Sequence, residues 1–172
     1  PADTTTPADP STPAQTVGNF AVPEGGYDGS AVTIKFYTTM GTNLTPVLDA
    51  YIAEFNKLYP NITVVSTNVG NYDDCRDQIS TEITVGNQPN IAYCYPDHVA
   101  MYNIAKSVVV LDNLIASKAP AGAGEEIIGL TDEQKADFIE SYYNEGLVYG
   151  DNMMYTMPLS KSTEVLYYDK TF

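Results

Sequence analysis

The chain has 172 residues, 44% of them hydrophobic, which is enough for one ordinary domain with a sizeable core. With 22 Asp and Glu against 8 Lys and Arg, the formal charge is -14. Such a surface repels phosphate backbones and anionic lipid headgroups, so nucleic acid and bare membrane are poor partners, and neutral or cationic ligands are favoured over anionic ones.

Residues 1 to about 30 read as a disordered tether. The stretch Pro1 to Pro13 has no aliphatic side chain larger than alanine and no Lys or Arg, so it cannot bury enough surface to offset its ordering entropy. Its prolines hold it extended, with a reach of about 3 Å per residue. The chain opens on Pro1 rather than Met, as a processed or trimmed form would. Gly25-Gly26 and Gly29 mark the entry to the fold.

From Val32 the pattern changes. Val32, Ile34 and Phe36 alternate with Thr33, Lys35 and Tyr37, which predicts a first strand. The polar loop Thr38 to Thr42 follows. Thr45 is placed to cap a first helix, with Pro46 at its first position. Leu44, Val47, Leu48, Tyr51, Ile52, Phe55 and Leu58 form its apolar stripe. Pro60-Asn61 stops it, and Ile62, Val64 and Val65 give a second strand. A second helix starts near Tyr72 or Asp73, with Asp73 and Asp74 in its first turn and a stripe of Tyr72, Cys75, Ile79 and Ile83. Asn90 to Cys94 reads as a short third strand. Asp97 is placed to cap a third helix ending near Ala105, and Val108 to Leu111 is a short extended run. This βαβαβ order implies parallel strands with right-handed crossovers.

Residues 116 to 130 are Ala/Gly-rich and read as loop. Thr131-Asp132-Glu133-Gln134 is a capping box, opening a helix with Phe138, Ile139, Tyr142 and Tyr143 on one side. Leu147-Val148-Tyr149 and Met153-Met154-Tyr155 flank Gly150-Asp151-Asn152 as a predicted hairpin. Val165 to Tyr168 reads as a last strand. There is no internal repeat.

The sequence holds little that suggests catalysis. His98 is the single histidine, and no nucleophile elbow, P-loop, zinc-protease helix or dinucleotide turn is present. Acids are abundant, but nothing pairs two of them as a glycosidase requires. Asp73, Asp74 and Asp77 lack calcium-loop spacing, and acids at a helix N-terminus need no metal. No catalytic residue, metal site or cofactor is expected. No apolar run approaches the roughly 20 residues needed to span a bilayer. Cys75 and Cys94 both fall near one sheet edge, so a disulfide between them is open, provided their Cα atoms lie within about 7 Å.

The placement of polar loops is more informative. In an open parallel sheet, ligands sit beyond the carboxyl ends of the strands. The loops leaving those ends are Thr38 to Asn43, Asn68 to Asp73 and Tyr95 to His98. Each is polar and two carry an aromatic ring, a mixture suited to sugar. Tyr95 and Tyr72 are candidates to stack on a sugar's C–H face. Asp97 can accept hydroxyl bonds and His98 can donate one. Each of these has a plainer role open to it: Asp97 as a helix cap, His98 as a solvated surface residue, and Tyr72 packed on its helix.

Three segments together resemble the family 1 extracellular solute-binding proteins, the maltose-binding-protein-like group. The first is Val32 to Tyr37 followed by Val47 to Val64, with Phe55 and Tyr59-Pro60-Asn61-Ile62. The second is Gly86-Asn87-Gln88-Pro89-Asn90-Ile91-Ala92-Tyr93, with Asn90 where Asp is usual. The third is Tyr155 to Lys170, with Asp169 where Asn is commoner. The resemblance covers residues 31 to 172.

It implies a periplasmic-binding-protein-like α/β lobe: a mostly parallel twisted sheet with flanking helices. Relatives are considerably longer, so residues 31 to 172 are expected to be the N-terminal lobe of a two-lobed clamp, a fragment with the second lobe largely absent. The implied function is a monomeric extracellular receptor that closes on a sugar or oligosaccharide and delivers it to an ABC permease in the membrane. Receptors for a peptide, polyamine or cation complex are the alternative, and a secreted carboxylate-dependent glycosidase a weaker one. By the resemblance, ligand-facing positions are Thr39, Gly41, Thr42 and Asn43 after strand one; Tyr95, Asp97 and His98 after strand three; and Ser160, Lys161, Ser162 and Thr163 before the crossing strand. The Thr/Pro spacer is similar to the tether behind a lipidated cysteine, which implies cell-surface anchoring or a periplasmic location.

Overall fold

A computed structural model describes residues 20–124, 126–162 and 165–171. The first 19 residues of the expected tether, and Thr163 of the expected site, lie outside the described residues.

The chain folds around a three-stranded parallel sheet in the order β2-β1-β3. β1 is Val32–Thr38, β2 is Ile62–Asn68 and β3 is Ile91–Ala92. Helix α1 (Thr45–Leu58) joins β1 to β2, α2 (Tyr72–Ile83) joins β2 to β3, and α3 (Pro96–Ile104) follows β3. This is the expected βαβαβ order.

β1 pairs with β2 along its whole length, from Val32 opposite Ile62 to Thr38 opposite Asn68. Its pairing with β3 is short, Phe36 with Ile91 and Tyr37 with Ala92. Asn90 extends that edge: its N–H donates to Lys35 O (2.9 Å) and its Oδ1 accepts from Lys35 N (2.8 Å). Tyr93 N–H adds a bond to Tyr37 O at 3.0 Å. Either Asn or Asp can supply the acceptor that Asn90 provides.

The core lies between the sheet and helices α2 and α3. Tyr37, Cys75, Ile79 and Tyr102 form its buried cluster, with Val69, Ile83, Ala92 and Val108 packed against it. The expected α2 stripe therefore points inward, Cys75 and Ile79 most fully. The α1 stripe is narrower than its sequence suggests. Leu48 is buried and Ile52 and Phe55 are half-buried, but Leu44, Val47, Tyr51 and Leu58 are exposed. α1 rests on a sheet of only three strands, which covers one narrow line of its surface.

Three caps differ from expectation. Leu44, not Thr45, occupies the N-cap of α1; Thr45 is already helical and its hydroxyl donates to Gly41 O at 3.2 Å. α2 has a capping box in which Asn71 Oδ1 accepts from Asp73 N and Asp74 N, while Asp74 Oδ2 accepts from Asn71 N. Tyr95 is the N-cap of α3 with Pro96 next, so Asp97 sits inside the first turn and does not cap it.

Residues 20–30, read as the end of the tether, touch the lobe. Asn113 Nδ2 donates to Phe20 O (3.3 Å), Asn61 Nδ2 donates to Gly29 O (2.8 Å), and the Tyr27 ring meets Tyr59 edge-on at 6.1 Å. Gly26 has φ +68°, and a Cβ there would collide with the Pro120 carbonyl. Only glycine fits that approach.

The second half departs furthest from the sequence reading. A short helix α4 (Asp112–Ala116) lies where an extended run gives way to the Ala/Gly-rich segment. Within that segment Pro120 and Ile127 form an isolated antiparallel bridge. The capping box at Thr131 and Gln134 is present and opens α5 (Asp132–Asp137). The predicted single helix breaks at Phe138, whose ψ of 142° is extended. It resumes as α6 (Glu140–Asn144), followed by a 3-10 turn at Glu145–Leu147.

The predicted hairpin at 147–155 does not form. Met154 gives its backbone groups to another partner: its carbonyl accepts from Leu111 N (2.7 Å) and its N–H donates to Asp112 Oδ2 (2.8 Å). The predicted strand at Val165 to Tyr168 is not formed either. Leu166 and Tyr167 are about nine-tenths exposed, and no described strand pairs with them.

One polar network ties α2 to the central strand. Tyr37 Oη donates to Glu82 Oε1 at 2.8 Å, Gln78 Nε2 donates to Tyr37 Oη at 3.2 Å, and Lys35 Nζ lies 3.4 Å from Glu82 Oε2. Burial alone would raise the Glu82 pKa, but the bonds from Gln78, Tyr37 and Lys35 outweigh it and hold the carboxyl below its ordinary value. A depressed carboxyl stabilises the fold above its unfolded pKa, and that contribution disappears as pH falls through the folded value. Glu82→Gln is therefore expected to cost about 1–2 kcal/mol near neutral pH. The gap from the parent should close as the pH falls below 4.5, the ordinary value for a glutamate. Urea unfolding curves of both proteins across that pH range measure it.

Candidate functional site

Because all three strands run parallel, their carboxyl ends share one rim, and the three loops expected to face ligand leave from it. Contacts between the loops hold them together. Asn68 Nδ2 donates to the Met40 carbonyl, and Val69 N–H donates to Thr38 O at 3.0 Å. Tyr93 Oη contacts Met40 Sδ at 3.7 Å, and Cys75 Sγ contacts Tyr93 O at 3.8 Å. The first loop thus touches the second, and it touches Tyr93 in the segment that leads from β3 into the third.

The centre of this rim is a pair of rings. Tyr72, the first residue of α2, and Tyr95, the N-cap of α3, stack with centroids 4.2 Å apart and planes 24° from parallel. Tyr95 remains half exposed, while Tyr72 is half-buried. Behind them, His98 meets Tyr95 at 5.5 Å and 60°. His98 is only 4% exposed, so it lies beneath the ledge and is not a solvated surface residue. This geometry fits an imidazole that sets the Tyr95 ring better than one that reaches outward to a ligand.

The other expected residues fall into two groups. Thr39 is half-buried, and Gly41, Thr42 and Asn43 are exposed on the turn into α1, with Gly41 O accepting from Leu44 N and Thr45 N. Asp97 is exposed in the first turn of α3. These belong to the rim. Ser160, Lys161 and Ser162 are exposed on a segment without regular structure. Lys161 is paired with Glu145 and sits 5.8 Å over the Tyr142 ring. No described contact brings that segment to the Tyr72–Tyr95 pair.

Sequence reasoning missed Met40 and Tyr93, which join the loops, and Tyr149. Burial pushes the Tyr149 hydroxyl up to about 12, and the charges of Cys94, Asp97 and Glu145 nearby add to it. That proximity brings a residue of the failed hairpin close to the rim, and no local pattern could have announced it.

Two cavities lie elsewhere. One of about 200 Å³ is lined by Leu111, Leu114, Ile115, Ile128, Leu130 and Met157. The other, about 310 Å³, lies between Tyr27, Tyr59, Asn61 and Gly122 near the amino ends of the strands. Among the described residues no three His, Cys, Asp or Glu side chains converge to hold a metal ion, and no helix is long and apolar enough to cross a membrane.

The family model described as bacterial extracellular solute-binding protein matches residues 41–172, and the chain belongs to that family. The galacto-N-biose/lacto-N-biose I-binding protein of an ABC transporter from Bifidobacterium longum superposes with TM-score 0.56 at 21% identity, over 77% of this chain and 29% of that one. The GacH receptor of Streptomyces glaucescens gives TM-score 0.57 at 17% identity, over 74% and 29%. The cyclic alpha-maltosyl-1,6-maltose binding protein of Arthrobacter globiformis gives 0.54 at 15%, over 70% and 27%. At these identities the likeness establishes the lobe's fold. The chain spans less than a third of the length of each of these proteins. A search of curated protein sequences finds no match.

The cysteines are free thiols, Cys75 buried and Cys94 half-buried, so the disulfide left open by the sequence is not formed in this structure. Burial, with smaller contributions from Cys75 and Asp97, pushes the Cys94 thiol up to about 11 from its ordinary 9.0, and burial raises Cys75. The thiolate is the reactive form. Two pKa units correspond to roughly a hundredfold less thiolate near pH 8. The reduced native protein should therefore alkylate with iodoacetamide at Cys94 about a hundredfold more slowly than the urea-unfolded chain. Peptide mass spectrometry over time reads the two rates.

Proposed function

We propose that this chain supplies the N-terminal lobe of an extracellular receptor that captures a sugar or oligosaccharide and presents it to an ABC permease. One observation carries the reading: the half-exposed Tyr95–Tyr72 stack stands at the carboxyl rim of a parallel sheet. An aromatic face there can pack on the apolar C–H face of a sugar ring, with hydroxyl and carboxylate groups beside it for the sugar's OH groups. Exposed Thr42, Asn43 and Asp97 supply such groups on the flanking turns.

Family membership supports this reading, since relatives are extracellular solute-binding proteins. The three structural neighbours are described as binding galacto-N-biose or lacto-N-biose, acarbose, and cyclic alpha-maltosyl-1,6-maltose. In the proposal the receptor is monomeric, acts without catalysis, and is held at the cell surface by a lipid at the head of the Thr/Pro spacer. Ser160, Lys161, Ser162 and Thr163 would face ligand from the segment that leads out of the lobe, and the closed clamp would bring them to the rim.

Thermal-shift screening of the complete protein against mono- and oligosaccharides, amino acids, polyamines and cations tests this. A sugar present at a hundred times its Kd should stabilise the protein by about 2.7 kcal/mol. Tyr95→Ala should weaken that sugar by about tenfold, the loss of one stacking contact, while leaving the ligand-free melting temperature within a few degrees of the parent. A response confined to cations or amino acids, or turnover of any glycan, would overturn the sugar receptor. Unchanged affinity in Tyr95→Ala would remove this ledge from the site.

A further inference from the structure

The rim carries an electrostatic signature that the stacking argument does not use. Two helix N-termini point at it, those of α2 and α3. Such termini are ordinarily ready-made anion sites, because free N–H groups and the helix dipole favour negative charge. At α2 the N–H groups of Asp73 and Asp74 are already taken by Asn71 Oδ1, and α3 opens on Pro96, which has no N–H to offer. Asp73 and Asp74 fill the first turn of α2, and Asp97 fills that of α3.

Arg76, one turn into α2 from Tyr72, is also committed. Arg76 Nη1 bonds Asp73 Oδ1 at 2.8 Å, and Arg76 Nε bonds Asp77 Oδ1 at 2.8 Å. Asp74 is engaged in the capping box. Exposed Asp97 has no hydrogen bond or ion pair among the described residues, and it stands two positions from the Tyr95 ring. Cys94 and Tyr149 both respond to its charge, which adds to the larger effect of burial in raising their pKa values.

We infer that this rim is a charge filter: it admits uncharged or amine-bearing glycans, excludes uronic, sulfated and phosphorylated ones, and depends on Asp97 for that preference. The inference rests on reading the Tyr72–Tyr95 ledge as the ligand surface. An anion approaching the ledge would meet the unpaired Asp97, an Arg76 guanidinium already held by Asp73 and Asp77, and an α2 terminus already capped by Asn71.

The filter can be measured without knowing the ligand. The chain has no tryptophan, so Tyr95→Trp installs a single indole reporter at the rim. Its fluorescence is quenched with iodide, caesium or neutral acrylamide at low ionic strength, each normalised to free N-acetyltryptophanamide. Local potentials of this kind change ion access by about twofold or more. Iodide should therefore be about twofold less effective than caesium, with acrylamide between them. Adding Asp97→Asn should move the two ions clearly toward equality. Iodide quenching as strong as caesium overturns the filter, and an unchanged ratio in the Asp97→Asn background overturns the role of Asp97.

Should Tyr95→Trp fold poorly, the unaltered complete protein decides the question through calorimetry with mannotriose, chitotriose, the glucosamine trimer and trigalacturonate. Binding of a neutral or amino trimer without trigalacturonate supports the filter, and trigalacturonate binding as tightly as any neutral trimer overturns it. If no trimer binds while the quenching asymmetry is present, the sugar reading fails and the charged rim stands.

Discussion

The parallel register of β1 is the constraint on which the rim depends. β1 is hydrogen-bonded on both sides, and its last residues lie opposite Asn68 on one neighbour and Ala92 on the other. A strand running the opposite way would send its outgoing loop to the other pole. With all three aligned, the first residue of α2 and the N-cap of α3 arrive at the same place, and two tyrosines distant in sequence stack face to face. The short third strand makes this alignment sensitive to single side chains. Asn90 and Tyr93 extend a ladder that the two residues of β3 could not hold by themselves.

The first half of the fold was legible because its signals are local. Alternation marked β1, the run Ile62 to Val65 marked β2, and 3-4 spacing marked α1 and α2. The carboxyl-end rule then located the rim before any contact was known. What was not legible depended on tertiary partners. The predicted hairpin around Gly150 has suitable turn chemistry: Gly150 has φ +87° and Asn152 has φ +58°. The chain does reverse there, yet Leu111 and Asp112 take the backbone groups of Met154 that a hairpin partner would have used. Helix α4, five residues long, is too short to show periodicity. His98 was read as surface because a lone histidine in a polar loop gives no hint that the next helix turn will bury it.

The exposed apolar residues reflect the same distinction between pattern and partner. Leu44, Val47, Tyr51 and Leu58 follow the spacing of a buried helix face, and Val165 to Tyr168 have strand composition, yet all are exposed. Sequence pattern encodes a face that wants cover; only the rest of the fold can supply it. Among the described residues three strands cover one line of α1, and none pairs with the C-terminal run. The proteins this chain resembles are more than three times its matched span.

A strongly acidic surface and a carbohydrate ligand are physically compatible in a way that an acidic surface and an anionic ligand are not. A neutral sugar brings no charge to be desolvated, so its binding depends on ring contact and on hydroxyl groups matched to acceptors and donors. A carboxylate such as Asp97 can accept two hydroxyl bonds without needing a counter-ion in the ligand. The protein can therefore carry a net charge of -14, with the solubility that follows, without opposing the chemistry proposed for its rim. The self-pairing of Arg76 with Asp73 and Asp77 fits the same logic. A guanidinium left free beside the stack would recruit phosphates and uronates, whereas one held by two carboxylates leaves the ring faces to compete for the ligand on shape.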